Sequence, residues 1–204
     1  MPLQNRVDPE GEIRVSAARG TLMGNRGCLH NAAKQIVAKS KRDAWVACAL
    51  KYQDRHRTIM DGGSYTELFF LDEATALAAG HRPCNTCRSD RYKAFMTAWG
   101  AGNRGGTKVL AGEVDAQLKR DRSPLARETV VSVAGLPDGV IVKQRASGTC
   151  YLIRSGKLYP WSFAGYGMPQ PASAVDGPFA VLTPRSTVNA VRQGYNVEIH
   201  PSAR

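Results

Sequence analysis

Residues 69–87 read FFLDEATALAAGHRPCNTC and contain a short helix followed by a pair of cysteines. Asp72 is a favourable N-cap, because its carboxylate can accept a hydrogen bond from a free amide of the first helical turn. Strong helix formers fill residues 73–79, and Gly80 can adopt the left-handed conformation that ends many helices. The stretch therefore predicts a helix that leads the chain directly to the two cysteines.

A second helix is predicted after these cysteines. Tyr92, Phe95, Met96 and Trp99 recur at i, i+3, i+4 and i+7, which is the spacing of one apolar helix face. Four glycines lie within residues 100–107, and glycine is unfavourable inside a helix. We therefore expect the helix to end near residue 100, in a linker or a long turn.

The second half of the chain carries the pattern of short strands. Runs rich in β-branched and aromatic residues, bounded by Pro, Gly and Asp, occupy residues 129–133, 139–143, 150–154 and 179–182. Thr183 followed by Pro184 predicts the start of a short helix, with the threonine as its N-cap. We predict an α+β fold, with a small N-terminal part over residues 1–105 and a mainly β part over residues 106–204. The two parts can also pack as a single domain.

Composition favours a folded, intracellular protein with an anionic partner. The 204 residues are 43% hydrophobic and 22% charged, as in ordinary globular domains. The sequence contains neither an apolar run long enough to span a bilayer nor the layout of a signal peptide, so we expect a cytoplasmic protein without a membrane partner. The net charge of +11 makes nucleic acid the leading candidate partner and anionic lipid a weaker one.

The cysteines indicate a metal site. Structural disulfides are rare in the cytosol, so five cysteines in such a chain favour metal binding, with a redox dithiol as the alternative for Cys84 and Cys87. A closed zinc site needs four ligands, and Cys48, in an apolar run that predicts a strand, is a third candidate. Cys28 and His30 compete for the fourth position, and the residues alone do not separate them. The remaining candidate ligands are Cys150, His56, His81 and His200.

One family shares these features. Gly24-Asn25-Arg26, Leu29-His30, Cys48 and residues 69–87 together resemble the Ada-type zinc-binding module, which opens the bacterial methylphosphotriester-repair protein Ada. Shorter relatives of that module accompany nucleases and hydrolases, and their first ligand pair is a histidine followed by a cysteine. The resemblance covers residues 20–100 and implies a structural Zn²⁺ held by His30, Cys48, Cys84 and Cys87. It also implies a bacterial protein with a role in DNA repair or modification.

Two departures from the family limit what the resemblance implies. The interval between His30 and Cys48 is longer than in the forms that it resembles. The pair of closely spaced cysteines that accepts a methyl group in Ada is also missing, because no C-x-x-x-C occurs here. The resemblance therefore points to zinc binding and not to methyl transfer.

The basic residues around the second cysteine pair suggest where nucleic acid binds. We expect Arg82, Arg88 and Arg91 to form a basic face that meets phosphates. The resulting hypothesis is a zinc-containing nucleic-acid-binding protein, with DNA as the favoured partner.

Two other functions are compatible with the sequence. The first is an enzyme of nuclease, glycosylase or lyase type, with an active site in the β-rich half that includes Asp138, Tyr166 or His200. The second is a protein-interaction module whose positive charge is incidental. No Walker loop, dinucleotide fingerprint, G-x-S-x-G or H-E-x-x-H occurs, so the best-known signals for NTP hydrolysis, hydride transfer, serine hydrolysis and zincin chemistry are missing.

Overall fold

The structure is a computed structural model that describes residues 1–53, 58–61 and 65–203. The helices within these ranges are α1 (Glu73–Ala78), α2 (Ser89–Arg104), α3 (Ala111–Asp121) and α4 (Arg185–Arg192). The strands are β1 (Gln4–Val7), β2 (Ile13–Val15), β3 (Leu22–Asn25), β4 (Val46–Ala49), β5 (Leu68–Phe70), β6 (Arg82–Pro83), β7 (Thr129–Val130), β8 (Ile141–Gln144), β9 (Cys150–Arg154), β10 (Lys157–Ser162), β11 (Gly165–Tyr166), β12 (Gln170–Pro171) and β13 (Phe179–Val181). The predicted α+β class is confirmed. In the described ranges, no helix combines the length and the apolar character that crossing a bilayer requires.

The first sheet is mixed and, in the described part of the chain, has the order β2-β1-β5-β3-β4-β6. β3 pairs antiparallel with β4, in a register that places Met23 opposite Cys48. β6 runs parallel to β4 on its other edge, with Ala47 opposite Pro83. This register brings Cys84, the residue after β6, beside Cys48 near the carboxyl end of β4.

The second sheet is antiparallel, with the order β11-β10-β9-β8-β13-β7 and with β12 paired to β10. The predicted strand over residues 150–154 has the observed bounds of β9. The other three predicted strands are present with shorter or shifted bounds, as β7, β8 and β13. The mainly β character predicted for this part is therefore found in the sheet, although α3 and α4 flank it.

Helix α1 forms where the sequence predicts it. Asp72 caps the helix, because its Oδ1 accepts hydrogen bonds from both the backbone N–H and the hydroxyl of Thr75. Gly80 has φ 79° and reverses the chain after the last turn. Every residue of α1 is buried, since its alanines allow the sheets to approach it closely.

Helix α2 is longer than predicted, because Gly100 and Gly102 lie inside it. A Cβ atom at Gly100 would lie 2.7 Å from the carbonyl oxygen of Thr107, and one at Gly102 would lie 2.6 Å from that of Asn189 in α4. These glycines therefore serve close backbone packing within a helix. The linker predicted over residues 100–107 is correspondingly wrong, and the helix ends at Gly105, which has φ 61°.

Helix α4 begins after Pro184, but Thr183 does not cap it. The hydroxyl of Thr183 accepts a hydrogen bond from the backbone N–H of Ile141 in β8, at 3.0 Å. Thr183 thus connects the chain before α4 to the second sheet, and its predicted role as N-cap is wrong.

The central hydrophobic cluster draws on both parts of the chain. It contains Leu77 of α1 and Trp99 of α2 together with Leu118 of α3, Ile141 of β8 and Tyr195 near the C terminus. Residues on both sides of the predicted boundary at 105 and 106 therefore share one core, as expected if the two parts pack as a single domain.

Candidate metal centre

Three cysteines converge at the carboxyl end of β4. The sulfur atoms of Cys48, Cys84 and Cys87 all lie within 4.8 Å of one another. The backbone N–H of Cys84 donates to the carbonyl of Ala47 at 2.9 Å, and the backbone N–H of Ala49 donates to the sulfur of Cys87 at 3.3 Å. Zn–S bonds of about 2.3 Å in a tetrahedral site separate two sulfurs by about 3.8 Å, so the three thiols are close enough for one ion to contact all of them after small shifts.

The surroundings favour negative charge on one cysteine of this group, Cys84, whereas the pKa values of Cys48 and Cys87 are raised. Hydrogen bonds from Cys48 and Cys87, together with the backbone N–H groups of Cys87 and Thr86, lower the pKa of Cys84. The pKa of Cys48 is raised, chiefly because its thiol is hydrogen-bonded to Cys84. The three sulfurs thus interact strongly with one another, and a cation among them would replace the shared protons and favour three thiolates.

The predicted position of Cys84 and Cys87 at a helix N-terminus is also found. The backbone N–H of Arg88 donates to the carbonyl of Cys84 at 3.1 Å, and α2 begins at Ser89. The N-terminal end of a helix carries a partial positive charge, which stabilises a nearby thiolate. A redox dithiol would use only this pair, whereas the third sulfur, from β4, makes the group a plausible metal site.

The structure does not bring His30 to these cysteines. β3 runs antiparallel to β4, with Asn25 opposite Val46, so the residues after β3 lie beyond the amino end of β4. His30 follows there, with its Nδ1 2.6 Å from the hydroxyl of Thr66. Its Nε2 is buried and has no hydrogen-bond partner among the described residues. His30 is therefore not a member of the three-cysteine group.

The other candidate ligands also lie elsewhere or outside the described ranges. The thiol of Cys28 donates to the carbonyl of His30 at 3.7 Å, and burial raises the pKa of Cys150, on β9, to about 12. His81 and His200 are not members of the three-cysteine group either. His56 lies outside the residues that the structure describes.

The predicted phosphate-binding face is not formed by exposed arginines. Arg82 is buried, and its Nε and Nη2 donate to the two carboxylate oxygens of Asp115 in α3 at 2.7 and 2.8 Å. This bidentate geometry satisfies the guanidinium with a fixed internal carboxylate. Arg82 therefore links β6 to α3, and its predicted contact with phosphate finds no support in this geometry.

Arg88 and Arg91 are likewise bound to internal carboxylates. The Nη2 of Arg88 lies 2.8 Å from Glu73 and 2.7 Å from Glu198, and the side chain of Glu73 is fully buried. Arg91 is one-quarter exposed and is also paired with Glu73. Tyr195 donates its hydroxyl to Glu73 at 2.7 Å, so the cluster joins α1 and α2 to the C-terminal segment. These contacts assign both arginines to the framework of the fold.

The three residues considered for catalysis do not form one site, although two of them lie close together. The hydroxyl of Tyr166 donates to Asp72 at 2.8 Å inside the core, and burial raises the pKa of that hydroxyl well above its usual value. Asp138 accepts from the backbone N–H of Ser155, and the Nδ1 of His200 lies 2.8 Å from the hydroxyl of Ser202. Tyr166 and His200 also share partners, because the backbone N–H of His200 donates to Asp72 and the backbone N–H of Tyr166 donates to the hydroxyl of Ser202. These contacts tie the C-terminal segment to the core, and Asp138 has a different partner.

A second group of charged residues, which the sequence does not single out, surrounds Trp45. The guanidinium carbons of Arg26 and Arg122 lie 3.8 and 4.2 Å from the centre of the Trp45 ring. The Nε of Arg26 donates to the Nε2 of His81 at 3.1 Å. Burial lowers the pKa of Arg26 to about 9, and burial with the nearby charges of Arg26 and Arg122 lowers the pKa of His81 well below its usual value.

Comparisons of the chain with protein-family models, with curated proteins and with solved structures gave no match.

Proposed function

We propose that the chain is a zinc-containing protein that binds nucleic acid, with DNA as the favoured partner. The observation that carries this proposal is the convergence of Cys48, Cys84 and Cys87 from two separate segments of the chain. Thiolate ligands favour Zn²⁺ over Mg²⁺ and Ca²⁺, which prefer oxygen ligands. A bound zinc would hold β4 to the turn that precedes α2, and would supply stability to this part of the fold.

Zinc would still need a fourth ligand. We propose that a protein side chain supplies it, as in structural zinc sites. His30 is the ligand implied by the Ada-type resemblance, and its unpartnered Nε2 keeps it a candidate if the segment after β3 rearranges when metal binds. His56 is the second candidate, and it follows Cys48 by eight positions in the sequence.

Metal analysis of purified protein tests the first half of the proposal. We expect one zinc per chain, lost in Cys48→Ser and in Cys84→Ser and retained in the matched controls Cys28→Ser and Cys150→Ser. Cobalt-substituted protein should show the visible absorption of a tetrahedral thiolate site. Loss of that spectrum in either His30→Ala or His56→Ala would identify the fourth ligand. Stoichiometric zinc in Cys84→Ser would overturn the site.

The charge balance supports the second half of the proposal. The ion pairs of these arginines match Arg82 with Asp115, and Arg88 and Arg91 with Glu73 and Glu198. These pairs use equal numbers of cations and carboxylates, so the net charge of +11 remains on the rest of the molecule. Such an excess favours polyanions, because binding releases the cations condensed around their phosphates. The preference for DNA over RNA is supported by the Ada-type resemblance of residues 69–87.

Fluorescence anisotropy with labelled duplex DNA, single-stranded DNA and RNA tests this half. We expect binding to all three at low salt, tightest to DNA, with the logarithm of the affinity falling linearly with the logarithm of the salt concentration. Affinity that does not change with salt, or no binding at low salt, would remove nucleic acid as the partner. The metal result would then stand by itself, since it is measured without DNA.

A further inference from the structure

A cavity of about 510 Å³ lies beside Trp45, between the first sheet and the segment that follows α3. Its volume is within the range of small-molecule sites, which is about 300–1,000 Å³. Among the described residues that line it, five side chains are cationic and three are carboxylates. The lining of the cavity therefore has a net positive charge. The contacts of each charged side chain show where this positive charge is not neutralised.

The carboxylates of the lining already have partners. Glu12 pairs with Lys39 at 2.9 Å, and Glu10 pairs with Lys143 at 2.8 Å and with Arg127 at 3.6 Å. The carboxylate of Asp121 accepts hydrogen bonds from side chains of α3 and α4. Glu10 and Glu12 are thus neutralised by cations other than Arg26 and Arg122. Asp121 accepts from neutral donors and keeps its negative charge near Arg122.

Among the described residues, the acceptors of Arg26 and Arg122 are neutral. Arg26 donates to His81 and, through Nη1, to the carbonyl of Gly11 at 2.9 Å. Arg122 donates to the carbonyls of Gly80 and Asp43, at 3.1 and 2.9 Å. In the described part of the chain, neither guanidinium forms a salt bridge with a carboxylate. Carboxylates act on them only at longer range, from Glu12 and Asp8 on Arg26 and from Asp115, Asp43 and Asp121 on Arg122.

Arg26 supplies an independent sign of a missing partner. It is 1% exposed, and its Nη2 is buried without a hydrogen-bond partner among the described residues. A Cβ atom built on Gly11, which lines the cavity, would lie 3.8 Å from this Nη2, so the unpaired nitrogen lies directly behind the backbone that lines the cavity. Buried arginines are normally paired, because an unpaired buried charge is strongly unfavourable.

We propose that this cavity, between Arg26, Arg122 and Trp45, is a binding site for a phosphate monoester. Two guanidiniums without a salt-bridge partner among the described residues match the charge of about −1.5 to −2 that a phosphate monoester carries at neutral pH, and guanidinium is the side chain best suited to bind its oxygens. The phosphate can belong to a small molecule such as a nucleotide or to the 5′ end of a nucleic acid. The site does not depend on the zinc or on binding along the DNA backbone.

Calorimetric titration with inorganic phosphate at constant ionic strength tests the site. We expect saturable binding to the wild-type protein, weakened about tenfold or more in Arg122→Gln and in Arg26→Gln, because each change removes a charge-assisted hydrogen bond. Lys157→Gln, which removes an exposed cation on β10, is the matched control and should bind as the wild type does. If Arg26→Gln does not fold, Arg122→Gln and the shift of the Arg26 Nε–H resonance on phosphate titration into wild-type protein decide the question. No saturable binding, or equal binding by Arg122→Gln and the wild type, would overturn the proposal.

Competition experiments identify the source of the phosphate. The competitors are a deoxynucleoside 5′-monophosphate, an oligonucleotide with a 5′-phosphate, and the same oligonucleotide with a 5′-hydroxyl. Displacement of inorganic phosphate by the mononucleotide alone indicates a small-molecule ligand, and displacement by the 5′-phosphorylated oligonucleotide indicates a nucleic-acid end. Displacement by neither of these, or equal displacement by both oligonucleotides, would overturn the assignment to a phosphate monoester.

Discussion

Two groups of buried arginines differ in what neutralises them. Arg82 and Arg88 each contact a buried or half-buried carboxylate, contributed by Asp115 in one case and by Glu73 in the other. Arg26 is buried as deeply but donates to a histidine ring and a backbone carbonyl. Carboxylates neutralise the guanidiniums of the first group, even though the Nη1 of Arg88 has no hydrogen-bond partner among the described residues. In the second group, Arg26 has no carboxylate at salt-bridge distance within the described part of the chain.

The difference bears on how an arginine-rich sequence is interpreted. Arg82, Arg88 and Arg91 stand next to the cysteines and suggest a basic face, yet their partners lie in α1, in α3 and near the C terminus. Proximity to a metal site in the sequence therefore does not make an arginine available to a ligand. A buried arginine without a paired carboxylate is better evidence of a ligand site, because proteins rarely leave a buried charge unpaired.

The largest effect is expected from breaking the first group. Glu73→Gln should lower the free energy of unfolding by about 3–5 kcal/mol, because it leaves Arg88 buried without its fully buried partner. Urea denaturation measures the change. Asp43→Asn, which breaks the exposed pair with Lys119, is the matched control and should cost about 0–1 kcal/mol. Equal losses in the two variants would show that burial of the pair does not set its contribution.

The same methionine substitution in both groups makes the comparison sharper. Arg82→Met should destabilise the protein by about 3 kcal/mol or more, since Asp115 stays buried without a cation. Arg26→Met should cost about 1–2 kcal/mol, because it leaves only neutral acceptors unpaired and removes a desolvated charge. Urea denaturation of both variants in phosphate-free buffer gives the difference. A larger loss for Arg26→Met would mean that the guanidinium is already satisfied without a ligand.

The parts of the fold that the sequence predicts are those fixed by local chemistry. The cap at Asp72 and the left-handed Gly80 determine α1 within a few residues, and β9 follows from an apolar run between turn residues. Cys84 and Cys87 lie close together because only two residues separate them in the sequence. The sequence also predicts Cys48 near them, because the apolar run around Cys48 indicates a strand that lies beneath the turn.

The parts that the sequence does not predict depend on distant partners. Gly100 and Gly102 lie in a helix because backbone atoms of residue 107 and of α4 pass close to them. The hydroxyl of Thr183 accepts a hydrogen bond from β8 and does not cap the helix that follows it. Arg88 donates to Glu198, which is 110 positions away, and nothing near Arg26 in the sequence reveals that it is buried. Long-range packing decides each of these cases.

The pH dependence of stability tests the second group through His81. Burial, with the neighbouring charges of Arg26 and Arg122, lowers the pKa of His81 well below 6.5 in the folded protein. Below pH 6.5 the unfolded chain therefore binds a proton that the folded chain does not, and folding stability falls as the pH falls. The loss should reach about 1.4 kcal/mol per pH unit between 6.5 and the folded-state pKa, and be absent above 6.5.

Urea denaturation at several values of pH from 7.5 to about 5 measures this slope. His81→Gln should remove the contribution of His81 while keeping an acceptor for the Nε–H of Arg26. His200→Gln, which changes a partly exposed histidine, is the control and should retain the wild-type slope. Identical slopes for His81→Gln and the wild type would mean that His81 does not stay neutral beside the two arginines.

The smallest effect on stability is expected from Glu12, which lines the same cavity but is paired with Lys39 at its exposed edge. Glu12→Gln should change the free energy of unfolding by about 0–1 kcal/mol, because exposed ion pairs contribute little. The same change removes a carboxylate from the cavity, so calorimetry should show inorganic phosphate binding about twofold more tightly. Asp176→Asn, an exposed acidic change outside the cavity lining, should leave that affinity unchanged. If Glu12→Gln instead weakens phosphate binding, the excess positive charge of the cavity is not what attracts the anion. The difference between the two arginine groups would then not indicate a binding site.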